Sequence, residues 1–171
     1  MKPAGTLLLL LSCLLVFGCT QASRDKRDTR NLANRASEMS AALTSAGIPF
    51  SEHINAWLAG EKTDIPALKA ALGSIAPLPE KYRAEFEKMP YPENQYAVTA
   101  YRTSFLNYLE GQQELAASLK GIVEKVSLKN PGDEPLRKEV SEEFRVMAEA
   151  QQKTLTDIKL KAERLTSYLL E

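Results

Sequence analysis

Apolar residues recur at helical spacing along most of the chain, most clearly over residues 92–128 and 133–170. In the first segment they follow a heptad repeat, interrupted by one polar member, Gln112. The members of this seam are Val98, Tyr101, Phe105, Tyr108, Gln112, Leu115, Leu119, Ile122 and Val126. In the second segment an apolar stripe from Leu136 to Leu169 repeats every three or four residues. Both patterns predict long α-helices.

A turn separates these two segments. Asn130-Pro131-Gly132 is a strong turn signal, and Asp133 can cap the helix that follows. Helices of similar length joined by a tight turn pack side by side, so we expect an antiparallel helix hairpin. The seam can close within one chain or between two chains, and the sequence leaves the oligomeric state open.

The chain before the hairpin predicts shorter helices. Leu32–Ala46 carries an apolar stripe on one helical face, and Gly47 and Pro49 are expected to end that helix. Further short helices are expected up to residue 92, with Ser51 capping the first of them.

Proline and glycine interrupt the rest of this region. Thr63 or Asp64 can cap one short helix, and Pro79 can start another. The sequence shows no alternating strand pattern and no hairpin signal. The expected fold is therefore all-α. It is an elongated three- to four-helix bundle built on the long antiparallel hairpin, with the short helices as a cap.

The chain begins with the pattern of a secretory signal. Lys2 gives a positive start, and Leu7–Phe17 forms an apolar core that is shorter than a membrane span of about 20 residues. Residues 1–18 are therefore predicted to be a signal that is removed. The mixed charges of residues 19–30 predict a polar tether or the frayed start of a helix, and residues 31–171 a single helical domain.

The signal ends in Val16-Phe17-Gly18-Cys19. This ending resembles the lipobox of bacterial lipoprotein precursors; no family is recognised for the mature domain. The resemblance implies that Cys19 carries a diacylglycerol and an N-acyl group, such as palmitate, and that these lipids anchor the protein to a membrane. The alternative is a plain secretory signal with Cys19 as a free thiol.

The residue after Cys19 bears on the location. In the enteric members of the lipoprotein family an Asp at that place holds the protein in the inner membrane. Thr20 stands there in this chain. The resemblance therefore implies a position in the cell envelope, at the outer membrane and facing the periplasm.

Charge and composition reduce the number of function classes that the sequence supports. The 171 residues include 22 Lys+Arg and 22 Asp+Glu, so the formal net charge is zero and gives no reason to expect nucleic acid as a partner. His53 is the only histidine, and we expect it to be a packing residue. The chain has no nucleophile motif or phosphate-binding loop. The sequence therefore predicts a protein that is not an enzyme, with no catalytic residue, no metal site and no cofactor besides the lipid.

Two carboxylates one turn apart on the last helix, Glu139 and Glu143, could clamp a cation. They belong to a cluster with Glu142 and Glu149, which is interleaved with basic residues. An ion-paired, solvated face is the favoured interpretation.

Tyrosines are the most informative polar feature. Tyr82, Tyr91, Tyr96 and Tyr101 lie in or beside the proline-rich segment and the start of the first long helix. They can form a partner-binding groove, or they can be the rim of a core whose hydroxyls meet water. The leading hypothesis is an adaptor, assembly factor or envelope-structure component that binds an envelope protein. The alternative is a small-molecule or lipid-binding protein with a cavity near Tyr96 and Tyr101.

The lipid anchor gives a direct test. We expect intact-mass analysis of the protein purified from membranes to show residues 1–18 removed and two or three acyl chains on Cys19. A mature protein with an unmodified Cys19 would contradict the anchor.

Overall fold

The computed structural model describes the backbone of residues 4–128 and 132–171, and the side chains of residues 21–128 and 132–171. The lipobox side chains, including Cys19, lie outside these ranges, as do Asn130 and Pro131 of the predicted turn. The described helices are α1 (Ala4–Leu58), α2 (Ile65–Ile75), α3 (Leu78–Phe86), α4 (Tyr96–Leu128) and α5 (Glu134–Leu170). No strand occurs among the described residues, and the all-α bundle is confirmed.

Helix α1 continues through Gly47 and Pro49, where we expected a helix to end. An interior proline costs a backbone hydrogen bond. However, Phe50, Ile54 and Trp57 continue the face that carries the earlier buried residues, and all three are buried. Their burial offsets the cost of the proline. The predicted separate helix beginning at Ser51 is therefore the end of α1, and Ser51 donates its hydroxyl hydrogen bond to the Ile48 carbonyl at 2.8 Å.

The predicted tether is also helical. Residues 21–30 lie within α1, and Thr29 is fully buried. The Thr29 hydroxyl donates a hydrogen bond to the Asp25 carbonyl one turn earlier, at 2.7 Å. The packed domain therefore begins before residue 31, and its first helix extends without a break toward Cys19.

The core is divided into two clusters along the bundle. We call the first the anchor-end cluster, because α1 enters it from the side of Cys19, the residue that the sequence predicts to carry the anchor. Its buried members are Leu32, Ala36, Met39, Leu43, Phe86, Val98, Tyr101, Phe105, Tyr108, Leu109 and Leu165. We call the second the far-end cluster. Its buried members are Phe50, Ile54, Trp57, Leu68, Ala71, Leu72, Leu119, Ile122, Val123, Val126 and Val140.

The short helices act as a broken fourth helix against α1 and α4. Helix α2 contributes to the far-end cluster and α3 to the anchor-end cluster. Asp64 caps α2 by accepting a hydrogen bond from the Ala67 backbone N–H at 3.1 Å. Arg35 of α1 holds α3 through a bidentate pair with Glu85, with N–O distances of 2.6 and 3.0 Å.

Polar pairs between α4 and α5 show their antiparallel register. They are Ser104–Asp157 near one end, Gln112–Gln151 at mid-height, and Lys125 with Glu139 and Glu143 near the other end. At the α5 start, Asp133 accepts a hydrogen bond from the Leu136 backbone N–H, so the predicted cap is confirmed. The expected helix hairpin is thus present.

The Ser104–Asp157 pair gives a pH-dependent test. The Ser104 hydroxyl donates to the Asp157 carboxylate at 2.5 Å and is the main cause that lowers the pKa of Asp157, with smaller help from Lys161. A carboxyl with a lowered folded-state pKa stabilises the fold above its unfolded pKa, and this stabilisation is lost as the pH falls through the folded pKa. We expect Ser104→Ala to lower the free energy of unfolding at pH 7 by about 1 kcal/mol.

The effect of Ser104→Ala should shrink as the pH falls from the unfolded-state pKa of an Asp, about 3.9, toward the lower folded-state pKa of Asp157. Urea unfolding at pH 7 and pH 3 measures both values. Ser118→Ala is the matched control, because that hydroxyl bonds only the Glu114 carbonyl of its own helix. An equal loss for Ser104→Ala at the two pH values would contradict the assignment.

Candidate binding surfaces

The four candidate tyrosines occupy different environments. Tyr101 is 6% exposed and belongs to the anchor-end cluster, whereas Tyr96 is 76% exposed at the first turn of α4. Tyr82 and Tyr91 are half-buried and pack against the anchor-end cluster. The structure therefore brings the four to one end of the bundle, where Tyr101 is a core residue and the other three reach the surface.

An arginine holds the connection between α3 and α4. The Arg102 guanidinium lies 4.5 Å from the centroid of the Tyr91 ring, and it donates a hydrogen bond to the Glu87 carbonyl at 2.9 Å. The ring face attracts the cation. Tyr91 is thereby fixed beside the start of α4, close in the chain to the exposed Tyr96.

Burial controls the chemistry of the inner tyrosines. It raises the pKa of Tyr101, and it raises the pKa of Tyr108 against a smaller opposing effect of a hydrogen bond with Ser40. Both hydroxyls therefore stay protonated at neutral pH, and both rings pack in the core. Phe105 contacts the Tyr108 ring at a centroid distance of 5.6 Å.

The exposed and half-buried tyrosines lie at the same end of the bundle as the anchor-end cluster. Tyr168, in the last turns of α5, is close enough to Asp25 of α1 for that carboxylate to raise its pKa, although burial is the larger cause. Residues 25–32 of α1, the end of α5 and the start of α4 therefore lie at one end of the bundle. We call the half-buried and exposed tyrosines there, Tyr82, Tyr91 and Tyr96, the tyrosine surface.

The acidic cluster of α5 is ion-paired. Lys125 bridges Glu139 and Glu143, and Arg145 bridges Glu142 and Glu149. These pairs lower the pKa of Glu142 through Arg145 and raise the pKa of Lys125. Within the described side chains, no group of three or more His, Cys, Asp or Glu residues is arranged to hold a metal ion.

The single histidine lies near the end of α1. His53 is half-buried, and its backbone carbonyl accepts a hydrogen bond from the Thr63 hydroxyl at 3.4 Å. This contact ties the connection after α1 back to the helix. The packing role of the His53 side chain stays a prediction.

A mid-bundle pocket of about 410 Å³ lies between α1, α4 and α5, with Ile75 of α2 at its edge. Its walls include Leu43 of the anchor-end cluster and Ile54 and Leu119 of the far-end cluster, so it lies where the two clusters meet. The other lining residues are Gly47, Phe50, Ser51, Asn55, Leu58, Gln112, Leu115, Phe144, Met147, Ala148 and Gln151. Tyr96 and Tyr101 do not line this pocket.

Small and polar residues keep the two clusters apart at this level. Gly47 presents no side chain, and a Cβ built on it would meet nothing within 4 Å. Gln112 and Gln151 occupy the facing positions of α4 and α5, and they hydrogen-bond each other. The pocket was not predicted from the sequence, because Gly47 was expected to end a helix and Gln112 was not paired with Gln151.

Comparisons with protein-family models, with curated proteins and with solved structures give no match. Function is therefore argued from the geometry of this chain. In the part of the chain that the structure describes, no helix has both the length and the apolar character required to cross a membrane.

The difference between the inner and outer tyrosines can be measured. We expect Tyr101→Ala to lower the free energy of unfolding by about 3 kcal/mol or more, because it leaves a cavity in the anchor-end cluster. Tyr96→Ala should change it by less than about 0.5 kcal/mol, because that ring is exposed. Urea unfolding measures the free energy of unfolding of both variants. Equal decreases for Tyr101→Ala and Tyr96→Ala would contradict the assigned environments.

Proposed function

We propose that this protein is a lipid-anchored, non-enzymatic lipoprotein of the bacterial cell envelope. It is held at the outer membrane by acyl chains on Cys19, faces the periplasm and binds another envelope protein. Its role is that of an adaptor, an assembly factor or a component of envelope structure. The observation that carries this proposal is the exposed Tyr96, at the end of the bundle that also holds Tyr91 and Tyr82 and leads to Cys19.

The continuous α1 supports this arrangement. Thr29 is the first fully buried residue of the described part, and it follows Cys19 by ten positions. At the α-helical rise of 1.5 Å per residue, this spacing corresponds to about 15 Å. A bundle on so short a helical stem keeps the tyrosine surface near the membrane, within reach of a partner that is also held there.

The chemistry of the tyrosine surface suits a protein partner. Tyrosine and arginine are enriched at protein interfaces, where an aromatic ring packs and its polar group hydrogen-bonds. Arg102 already holds Tyr91 in place, which reduces the entropy lost on binding. Tyr96 offers a large exposed ring five residues after Tyr91 in the chain.

Ligand binding is the second candidate function. The mid-bundle pocket favours it, because its volume lies in the range of small-molecule sites, about 300–1,000 Å³. This pocket is separate from the tyrosine surface, so the two functions can be tested independently.

Site-specific photo-crosslinking tests the partner surface. A photoreactive amino acid replaces Tyr96 in the full-length protein in cells, and Leu128 is replaced in a matched control. Leu128 is 83% exposed but lies at the far end of the bundle. We expect one discrete, membrane-associated protein adduct at position 96 and none at position 128, because the partner contacts only the anchor end.

Two results would contradict the partner proposal. The first is an absence of adducts at position 96 in protein that is lipidated and folded. The second is the same set of weak adducts at positions 96 and 128, which would indicate random collisions.

A further inference from the structure

The mid-bundle pocket has the form of a site for a single chain. It is a groove between three long helices that is partly open to solvent, and it extends from Leu43, in the anchor-end cluster, to Leu58 near the end of α1. These two positions are 15 residues apart, which is about 22 Å along a helix. The volume of about 410 Å³ has room for a chain of about a dozen carbons within the size range of ligand sites.

The charge of the pocket restricts the ligand. None of the residues that line it carries an ionisable side chain, so a carboxylate or phosphate inside it would find no opposite charge. Burying an unpaired charge is far more costly than burying a hydrogen-bonded neutral group. The walls therefore select against a charge on the part of the ligand that they cover, which includes the group beside Gln112 and Gln151.

The amide pair gives the ligand one polar contact. The Gln112 side-chain N–H donates to the Gln151 side-chain oxygen. An amide has one oxygen and two N–H donors, so the Gln112 oxygen and the Gln151 N–H groups remain for further bonds. A hydroxyl or an ester group of a ligand can hydrogen-bond to these atoms, and the hydrocarbon chain of that ligand can then contact Leu115 and Met147.

We propose that the mid-bundle pocket binds one uncharged, single-chain amphiphile, with its chain on the apolar walls and its hydroxyl or ester group on Gln112 and Gln151. This proposal names the ligand class for the second candidate function, and it rests on that function. It is independent of the tyrosine surface.

Photolabelling of full-length protein in membranes tests the proposal. The probe is a 1-dodecanol analogue with a diazirine at the end of its chain, and the labelled peptides are identified by mass spectrometry. We expect label on the pocket walls, at Leu115, Leu119 or Met147. The matching dodecanoate analogue is ionised at neutral pH. It should label these positions at least about tenfold less than the alcohol does, because its charge is unpaired in the pocket.

A filled pocket supplies the matched control. Gly47→Leu places a side chain in the open space that Gly47 faces, and Gly73→Leu makes the same change at an open position of α2 outside the pocket. We expect Gly47→Leu to reduce labelling about tenfold, and Gly73→Leu to leave it within about twofold. Ala148→Phe, on the α5 wall, is the second blocking variant if Gly47→Leu does not fold.

Competition separates the two sources of such a ligand. Displacement by both monolauroylglycerol and 1-dodecanol supports the proposal with a membrane glycerolipid as the source. Displacement by 1-dodecanol alone supports it with a free small molecule.

Two results would overturn it, in different ways. Equal labelling by alcohol and carboxylate would overturn the ligand class and keep the pocket as a binding site. Labelling that Gly47→Leu and Ala148→Phe both leave unchanged would overturn the pocket as a binding site.

Discussion

Burial of α4 is the constraint on which the rest of the structure depends. Eleven residues of α4 are buried, from Val98 to Val126, whereas only Val140 and Leu165 of α5 are. A helix with so much apolar surface must be covered on several sides. Helix α5 covers one side and α2 and α3 together cover another, while α1 packs mainly on α2, α3 and α5 and closes the core opposite α4. The short helices α2 and α3 therefore bury apolar surface of α4 that would otherwise be exposed. In return, α4 covers their own apolar faces, which neither short helix could bury alone.

The covering of α4 is discontinuous, and the discontinuity creates the pocket. Helix α1 contributes to the anchor-end cluster through Leu43 and the residues before it, and to the far-end cluster through Phe50 and the residues after it. Between them, Gly47 brings no side chain to the contact. On α5, Gln151 turns to Gln112 instead of adding an apolar group. The same arrangement places the exposed Tyr96 at one end of the bundle and the apolar pocket at its middle, so the two proposed kinds of binding use separate sites.

Much of the fold could be predicted from periodicity, but contacts between helices could not. The heptad seam of α4 placed Val98 and Phe105 inward, and both are buried. The end expected at Gly47 was wrong because Phe50 follows Leu43 by one heptad, and burial on that face outweighs the local signals of glycine and proline. The Gln112–Gln151 contact depends on the register of two helices, which a one-dimensional pattern does not give. Only the seam position of Tyr101 indicated from the sequence that this tyrosine is buried whereas Tyr96 is exposed.

Xenon binding tests most directly whether the core is two packed clusters with an apolar gap between them, because xenon enters apolar cavities without requiring any hydrogen bond. The measurement is methyl NMR of the full-length protein labelled at methionine, with and without xenon pressure. Met147 lines the gap, whereas Met39 is 1% exposed inside the anchor-end cluster. We predict a xenon-dependent shift of the Met147 methyl signal and an unchanged Met39 signal. Equal shifts of the two signals, or no shift of either, would contradict the divided core.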